Sequence, residues 1–311
     1  MTRIITLTPN PTYDFAVDSD FVEPNRKLRC KNPQTHPGGG GVNVARAASR
    51  LGAETLAILT VGGVYGQAVE ALIAAEAIAM RAIPVAGETR VAFHVSDRTT
   101  GDEYRFNLPG AGMSAAECGG VLTALAEETR AGDYVVGSGS LPPMRDDGPS
   151  TDFWARAART AKAKGARFVL DSISGLRAAM AEGVFLLRQN EHEYRALAGR
   201  ALRWPDEVSA FACKLAAEGV AERIVISHGA DGSVMAMKSG SVFAPALKVK
   251  ARSAVGAGDS FVAALIVALT RGWSDQEALR YAAAAAAATR MSPGTALFDA
   301  DDVDRLFRSP V

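Results

Sequence analysis

The chain has 311 residues, 34 of them Lys or Arg and 34 Asp or Glu, so its formal charge is zero, and 48% of it is hydrophobic. Neutrality removes the electrostatic case for nucleic acid or an anionic membrane surface as partner, and the apolar share supports one large α/β core with an appendage. Cys30, Cys118 and Cys213, and the four histidines, lie far apart without zinc-ligand spacing, which argues against a structural metal.

In chain order, β-rich runs alternate with helical patterns, the signature of a mostly parallel sheet covered by helices on both faces. The chain opens directly on a strand pattern, Arg3–Thr8, without an apolar leader. No later run approaches the roughly 20 apolar residues that span a bilayer, so a cytoplasmic protein is expected. Thr12–Pro37 is polar and extended, with Lys27, Arg29 and Lys31 at alternate positions that share one face of a strand. A helix over Val42–Leu51, a strand over Leu56–Val61 and a helix over Gln67–Ala75 follow. Arg90–Leu108 then reads as a hairpin: Val91, Phe93 and Val95 alternate, a turn falls near Thr99–Asp102, and Tyr104, Phe106 and Leu108 return.

Neither Thr12–Pro37 nor Arg90–Leu108 has a helix to cover it, so together they are expected to form a small sheet across a cleft. Residues 12–37 and 89–108 are therefore assigned to a lid and dimerisation subdomain, and residues 1–11, 38–88 and 109–311 to the main domain. Open lid edges seek partners, and a homodimer built lid on lid is expected. Farther on, the pattern predicts helices over Ala115–Glu128, Phe153–Lys164, Pro205–Glu218, Phe261–Thr270 and Asp275–Thr289. Strands over Tyr134–Ser138, Arg167–Asp171, Val184–Leu187 and Arg223–Ser227 lie between them, and Ser233–Met237 and Val242–Lys250 are expected as an antiparallel edge. The alanine run Ala282–Ala288 suits a closely packed helix and is given no chemical role.

Two glycine clusters each open a helix pattern. Gly38-Gly39-Gly40-Gly41-Val42-Asn43 spends four glycines in a row, a costly composition for a bare connector. Backbone that passes beside a ligand and donates N–H groups to it accounts for that cost. Asn43, one turn in, is placed to donate to a sugar hydroxyl; its plain alternative is a residue on a polar helix face. Ser253-Ala254-Val255-Gly256-Ala257-Gly258-Asp259-Ser260 sets two glycines, an acid and a small hydroxyl before an apolar helix. Unpaired N–H groups and the positive dipole end suit an anion there, and Asp259 is either a helix cap or a base beside that anion. The two clusters together point to transfer of a phosphoryl group to a hydroxyl.

Lys27, Arg29, Arg90 and Arg105 all fall on the two lid stretches. Singly each reads as a solvated edge charge; together they suit a phosphate already on the substrate, with Asp14 among them for sugar hydroxyls. Asn190 and Glu193, and Ser227-His228-Gly229-Ala230-Asp231-Gly232, follow strands and fall where α/β proteins bind ligands. A capped helix start and a turn explain them equally well. No P-loop, protein-kinase signature or nucleophile elbow occurs, and the first glycine cluster lacks dinucleotide spacing.

The stretch Thr6–Pro11 with Asp14, Lys27-Leu28-Arg29, Gly38–Asn43, Ser138-Gly139-Ser140-Leu141-Pro142-Pro143 and Val255–Ser260, in this order, resemble the ribokinase-like (PfkB) carbohydrate kinases over essentially the whole chain. The Gly-Gly-Gly-Gly-Val-Asn form, and Glu103-Tyr104-Arg105-Phe106 followed by Pro109-Gly110, are similar to the family's minor 6-phosphofructokinase branch. The branch acting on fructose 1-phosphate or tagatose 6-phosphate usually carries a lysine at the Gly40 position. The resemblance implies a three-layer α/β/α sandwich with a mostly parallel central sheet and a small β-sheet lid. It implies that MgATP and fructose 6-phosphate give fructose 1,6-bisphosphate and ADP.

Residue by residue, the resemblance makes Asp259 the base and the N–H groups of Gly256, Ala257 and Gly258 the anion hole. Asp14, Gly39, Gly40, Asn43 and Ser140 match sugar-side positions, and Lys27, Arg29, Arg90 and Arg105 match positions near the sugar phosphate. Arg188, Asn190, Glu193, Ser227, Gly229 and Gly232 match the ATP side, with Glu193 organising Mg²⁺ through water. Ser253, Val255 and Gly294 match backbone positions that hold a monovalent cation such as K⁺ in relatives. Four residues depart from the pattern: Arg188 replaces a lysine that reaches the ATP phosphates, Gln189 a proline, Met144 a glycine and Ala296 an arginine. The rival readings are a sibling kinase acting on fructose 1-phosphate or tagatose 6-phosphate, and a non-catalytic sugar-phosphate-binding protein. Four cations argue against an uncharged substrate, and Asp259 kept beside its glycine loop argues against a non-catalytic one.

Overall fold

The computed structural model of the chain describes residues 2–145 and 152–309. Its first elements are β1 (Ile4–Thr8), β2 (Thr12–Ser19), β3 (Lys31–Gly38), α1 (Gly40–Arg50), β4 (Thr55–Val61), α2 (Gly63–Ala75), β5 (Ala79–Pro84), β6 (Arg90–Asp97) and β7 (Glu103–Asn107). Then come α3 (Ala115–Glu128), β8 (Tyr134–Ser138), α4 (Phe153–Ala163), β9 (Arg167–Asp171), α5 (Leu176–Ala181), β10 (Val184–Asn190), α6 (Glu191–Ala198) and α7 (Asp206–Ala217). The last are β11 (Ala221–Ser227), β12 (Ser233–Met237), β13 (Gly240–Ala244), α8 (Ala257–Thr270), α9 (Asp275–Met291) and α10 (Ala300–Arg308).

Among the described residues, nine strands form one sheet in the order β13-β12-β11-β10-β9-β8-β1-β4-β5. Neighbours from β11 to β5 pair in parallel, while β12 and β13 add an antiparallel edge. Strand alternation assigns side chains to the two helical layers. In β9, Phe168 and Leu170 pack with residues of α3, α4 and α7, and Val169 between them packs with α1, α8 and α9. Helix α8 is buried from Ser260 through Ala268, which explains why its sequence is apolar on every face.

A second sheet, in the order β3-β2-β6-β7, is the small lid. Its register separates two faces. The rows His36–Asp14–Ala92–Asn107 and Gln34–Ala16–His94–Arg105 lie on one face, and the row Thr35–Phe15–Phe93–Phe106 on the other. Phe15 and Phe93 stack at 5.4 Å between ring centroids.

Several boundaries differ from the sequence expectation. Thr12–Pro37 is two strands joined by a loop, so Lys27 and Arg29 lie on that loop and share no strand face with Lys31. The edge strand expected over Val242–Lys250 ends at Ala244. Helix α8 begins at Ala257 instead of Phe261, because periodicity detects only the apolar part of a helix and misses a polar first turn. Strand β5 and helices α5, α6 and α10 were not predicted. Strand β5 is alanine- and proline-bearing and forms because β4 offers it an edge; α6 buries only Tyr194, too little for a periodic signal.

Candidate active site

The order of the large sheet reverses beside β1: the chain steps from β1 to β4 and β5, then returns to β8 and continues outward on the other side. Ligands of open α/β sheets bind at such a switch point, beyond the carboxyl ends of the strands. Thr8, Ser138, Asp171, Asn190 and Ser227 end strands there, and α1 and α8, the helices opened by the two glycine clusters, start beside them.

Gly39 precedes α1 at φ 103° and Gly256 precedes α8 at φ 74°, neither with a side-chain cap. Both conformations disfavour any side chain. The tetraglycine also has a packing cause. A Cβ on Gly38 would run into the Asp14 carboxylate, on Gly40 into the Ser138 hydroxyl and the Gly139 amide nitrogen, and on Gly41 into the Thr8 hydroxyl and the Leu7 carbonyl. Helix α1 therefore sits directly on the ends of β1 and β8, closer than any other residue type allows.

Helix α8 places Asp259 in its first turn, where backbone N–H groups have no intrahelical acceptor. Asn43 Nδ2 donates to Asp259 Oδ2 at 2.9 Å, which ties α1 to α8. Burial pushes the Asp259 carboxyl up to about 7, the nearby Asp171 adds to the rise, and Asn43 and Arg188 oppose it. A carboxylate balanced near neutrality is suited to accept a proton.

Asp171 is a site residue that sequence reading missed. Its only signal was its place at the carboxyl end of a strand already assigned. Arg188 Nη1 donates to Asp171 Oδ1 at 3.1 Å and Arg188 Nη2 to Ser227 Oγ at 2.7 Å, while Ser138 Oγ donates to Asp171 Oδ2 at 3.2 Å. The planar guanidinium thus spans β9 to β11, and a Cβ on Gly258 would touch it at 3.3 Å. The departure from lysine has a use: a fork reaches two partners that one ammonium could not hold in a plane.

On the lid side, Asp14 is buried, and burial pushes its carboxyl up to about 6 against the pull of Arg90 and Arg46. Its Oδ1 finds no donor among the described residues. Arg90 Nε donates to Asn10 O at 3.4 Å, and Asn10 Nδ2 donates to Ser140 Oγ at 3.0 Å. Arg105 pairs with Glu103 at 2.7 Å, and Glu103 accepts from the Ala254 amide at 3.5 Å, so β7 reaches the loop before α8. Lys27 and Arg29 are exposed on the β2–β3 loop; the fold does not join them to the other cations within one chain.

Asn190 and Glu193 form a reciprocal cap of α6: Asn190 N donates to Glu193 Oε2 at 2.7 Å and Glu193 N to Asn190 Oδ1 at 3.1 Å. Burial raises the Glu193 carboxyl. A pocket runs from Arg188 and Gly258 past Ser227, Gly229 and Gly232 to Ala283 and Ala287 of α9. The alanine run therefore does more than pack, since its small side chains leave this space open. The amides of Arg252 and Ser253 donate to Arg290 O at 2.7 and 3.3 Å, which brings Ser253 and Val255 to the end of α9 that leads to Gly294. Among the described residues, no group of three His, Cys, Asp or Glu stands placed to hold a metal by itself.

An uncapped helix start, a buried carboxyl raised toward neutrality beside it and a lid with polar residues are parts that transfer of phosphate to a sugar can use. The chain belongs to the pfkB family of carbohydrate kinases, whose sequence pattern matches residues 9–301, and it is an ATP-dependent kinase of that family. Its relatives are particular. It is 39% identical over 305 residues to the ATP-dependent 6-phosphofructokinase isozyme 2 of Mycobacterium tuberculosis, covering 98% of this chain and 89% of that one. It is 35% identical over 309 residues to the protein of the same name from Escherichia coli, covering 99% and 98%. The crystal structure of phosphofructokinase-2 from Escherichia coli in complex with substrates and products superposes with a TM-score of 0.92 at 34% identity, over 98% of each chain; its potassium complex also gives 0.92, at 35% identity over 99% and 98%.

Proposed function

We propose that this kinase phosphorylates fructose 6-phosphate from MgATP, giving fructose 1,6-bisphosphate and ADP. The observation that carries the reading is the Asp259 carboxylate in the first turn of α8, held by Asn43 and raised to about 7. The sugar hydroxyl oxygen attacks the γ-phosphorus, the bond to the β,γ-bridging oxygen breaks, and Asp259 takes the hydroxyl proton. The amides of Gly256, Ala257 and Gly258 receive the charge that grows on the transferring group, and losing one such donor typically costs about 10²–10³-fold in turnover.

Asp14 supports the sugar assignment through its buried, unmet Oδ1, which a sugar hydroxyl would satisfy. Gly39, Gly40, Asn43 and Ser140 line the same side, and Arg90 and Arg105 meet the sugar phosphate, while Lys27 and Arg29 lie apart from them on the β2–β3 loop. Arg188, Ser227, Gly229 and Gly232 take the ATP phosphates and base, with the alanines of α9 beside the ring. Glu193, with Asn190, would meet a nucleotide-bound Mg²⁺ through water, and such an ion would neutralise phosphate charge. Backbone oxygens of Ser253, Val255 and Gly294 suit K⁺. The lysine usual at the Gly40 position in the branch acting on the sibling substrates has no room here, because its Cβ would meet Ser138 and Gly139.

Residues 12–37 and 89–108 act as lid and dimerisation subdomain of a cytoplasmic homodimer. Support comes from the apolar lid face, where Phe106 is 55% and nearby Leu108 50% exposed. No helix among the described residues is long and apolar enough to cross a membrane. The test measures kcat/KM on fructose 6-phosphate, fructose 1-phosphate and tagatose 6-phosphate. At least a tenfold preference for fructose 6-phosphate is expected; preference for another member would replace the substrate, and no turnover with any would sink the reading.

A further inference from the structure

Arg46 lies one turn beyond Asn43 on α1 and is 1% exposed, a costly place for a cation. Its Nη2 pairs with Glu76 Oε1 at 2.6 Å and its Nε donates to the same oxygen at 2.8 Å. Its Nη1 donates to Pro37 O at 3.2 Å and to Asn43 Oδ1 at 3.4 Å. A carboxamide has one accepting and one donating end. With the oxygen turned to Arg46, the NH₂ group faces Asp259 Oδ2 at 2.9 Å. Rotated the other way, Asn43 would set a carbonyl oxygen against a carboxylate. Glu76, Arg46, Asn43 and Asp259 therefore form one line from the end of α2 to the start of α8.

We propose that Arg46 is a positioning residue for the transfer: by holding the Asn43 carboxamide oxygen, it keeps the NH₂ end on Asp259 and so fixes the direction of the base. The proposal rests on Asp259 being that base. Arg46 touches no reacting atom, and Asn43 is the means by which it acts. A merely structural cation in α1 would lower stability without touching proton transfer, and the two roles separate in a double-mutant cycle.

The experiment compares kcat, KM, the pH profile of kcat and the melting temperature for R46M, N43A, R46M/N43A and D259N. R46M is expected to lower kcat about 10- to 100-fold, the scale of a small misplacement of a catalytic group, with KM for ATP within about twofold. Its acid limb should move to higher pH, because a turned amide no longer donates to the carboxylate. In the N43A background, R46M should cost less than about a further twofold. An equal loss in both backgrounds, or a lowered melting temperature with an unmoved acid limb, would overturn the proposal while leaving the Asp259 reading intact. Undiminished turnover in D259N would overturn both. Should R46M not fold, R46K and E76Q enter the same cycle, since a lysine cannot fork between Asn43 and Glu76 and the glutamine weakens the anchor.

Discussion

Helices α3 and α9 close their own N-termini, whereas α1 and α8, like α2, α4, α5 and α7, have no side-chain cap. In α3, Glu117 N donates to Ser114 Oγ at 3.2 Å and Ser114 N donates to Glu117 Oε2 at 2.7 Å. Ser274 and Glu277 repeat this box in α9, at 3.3 and 3.1 Å. Such boxes satisfy two orphan N–H groups and stabilise each helix. Gly39 and Gly256 have no side chain with which to do so. What sets the first-turn donors of α1 and α8 apart is their place, at the switch point of the sheet and beside Asp259. Helix α6 stands between the two types, because its capping pair, Asn190 and Glu193, is itself at the carboxyl edge. A protein gives up stability at the site it uses and recovers it elsewhere.

That contrast can be broken at its strongest point. D259N should lower kcat by about 10²–10⁴-fold and leave sugar-phosphate binding intact, as read by a coupled assay and by equilibrium titration. Turnover within twofold of wild type would remove the base assignment. The same carboxyl must be ionised to act, so with its folded value near 7, log kcat/KM should fall with unit slope as pH drops below about 7 and flatten above it. A flat profile from pH 5 to 8 would mean that this group does not limit the reaction.

A smaller effect should follow G256A. The residue sits at φ 74° and an added Cβ would stand 2.9 Å from Leu297 Cδ2, so the start of α8 must shift. Turnover is expected to drop about 10²-fold, the scale of a lost transition-state donor. Unchanged turnover would place the anion site elsewhere. The smallest change belongs to the closed helices: S114A should cost about 1 kcal/mol in denaturant unfolding with kcat unaffected. A loss of activity in S114A without a loss of stability would blur the distinction between the two kinds of helix start.

Much of the molecule was legible before folding. The parallel sheet showed in the alternation of β-rich and helical runs, and the two glycine clusters marked the two helix starts that the fold joins through Asn43 and Asp259. Asp171 and Arg46 were not legible. Asp171 ends an ordinary buried strand, and Arg46 sits in a helix pattern where any long polar residue reads as surface. Lys27 and Arg29 erred in the opposite direction. Their alternate spacing suggested a strand face, but spacing carries no information about where β2 turns into a loop.

Local chemistry settled most of the strands and helices, though not β5, α5, α6 or α10, because burial of apolar periods and the cost of glycine act over a few residues. The chain also contained in plain order the acid and the glycines of α8. Only the tertiary fold decided that Asn43 and Asp259, 216 residues apart, share a hydrogen bond, and that Arg188 spans Asp171 and Ser227. Those pairings depend on strand order in the sheet, and strand order is set by how the two helical layers bury their apolar faces on it, a sum over the whole chain that no window of sequence contains.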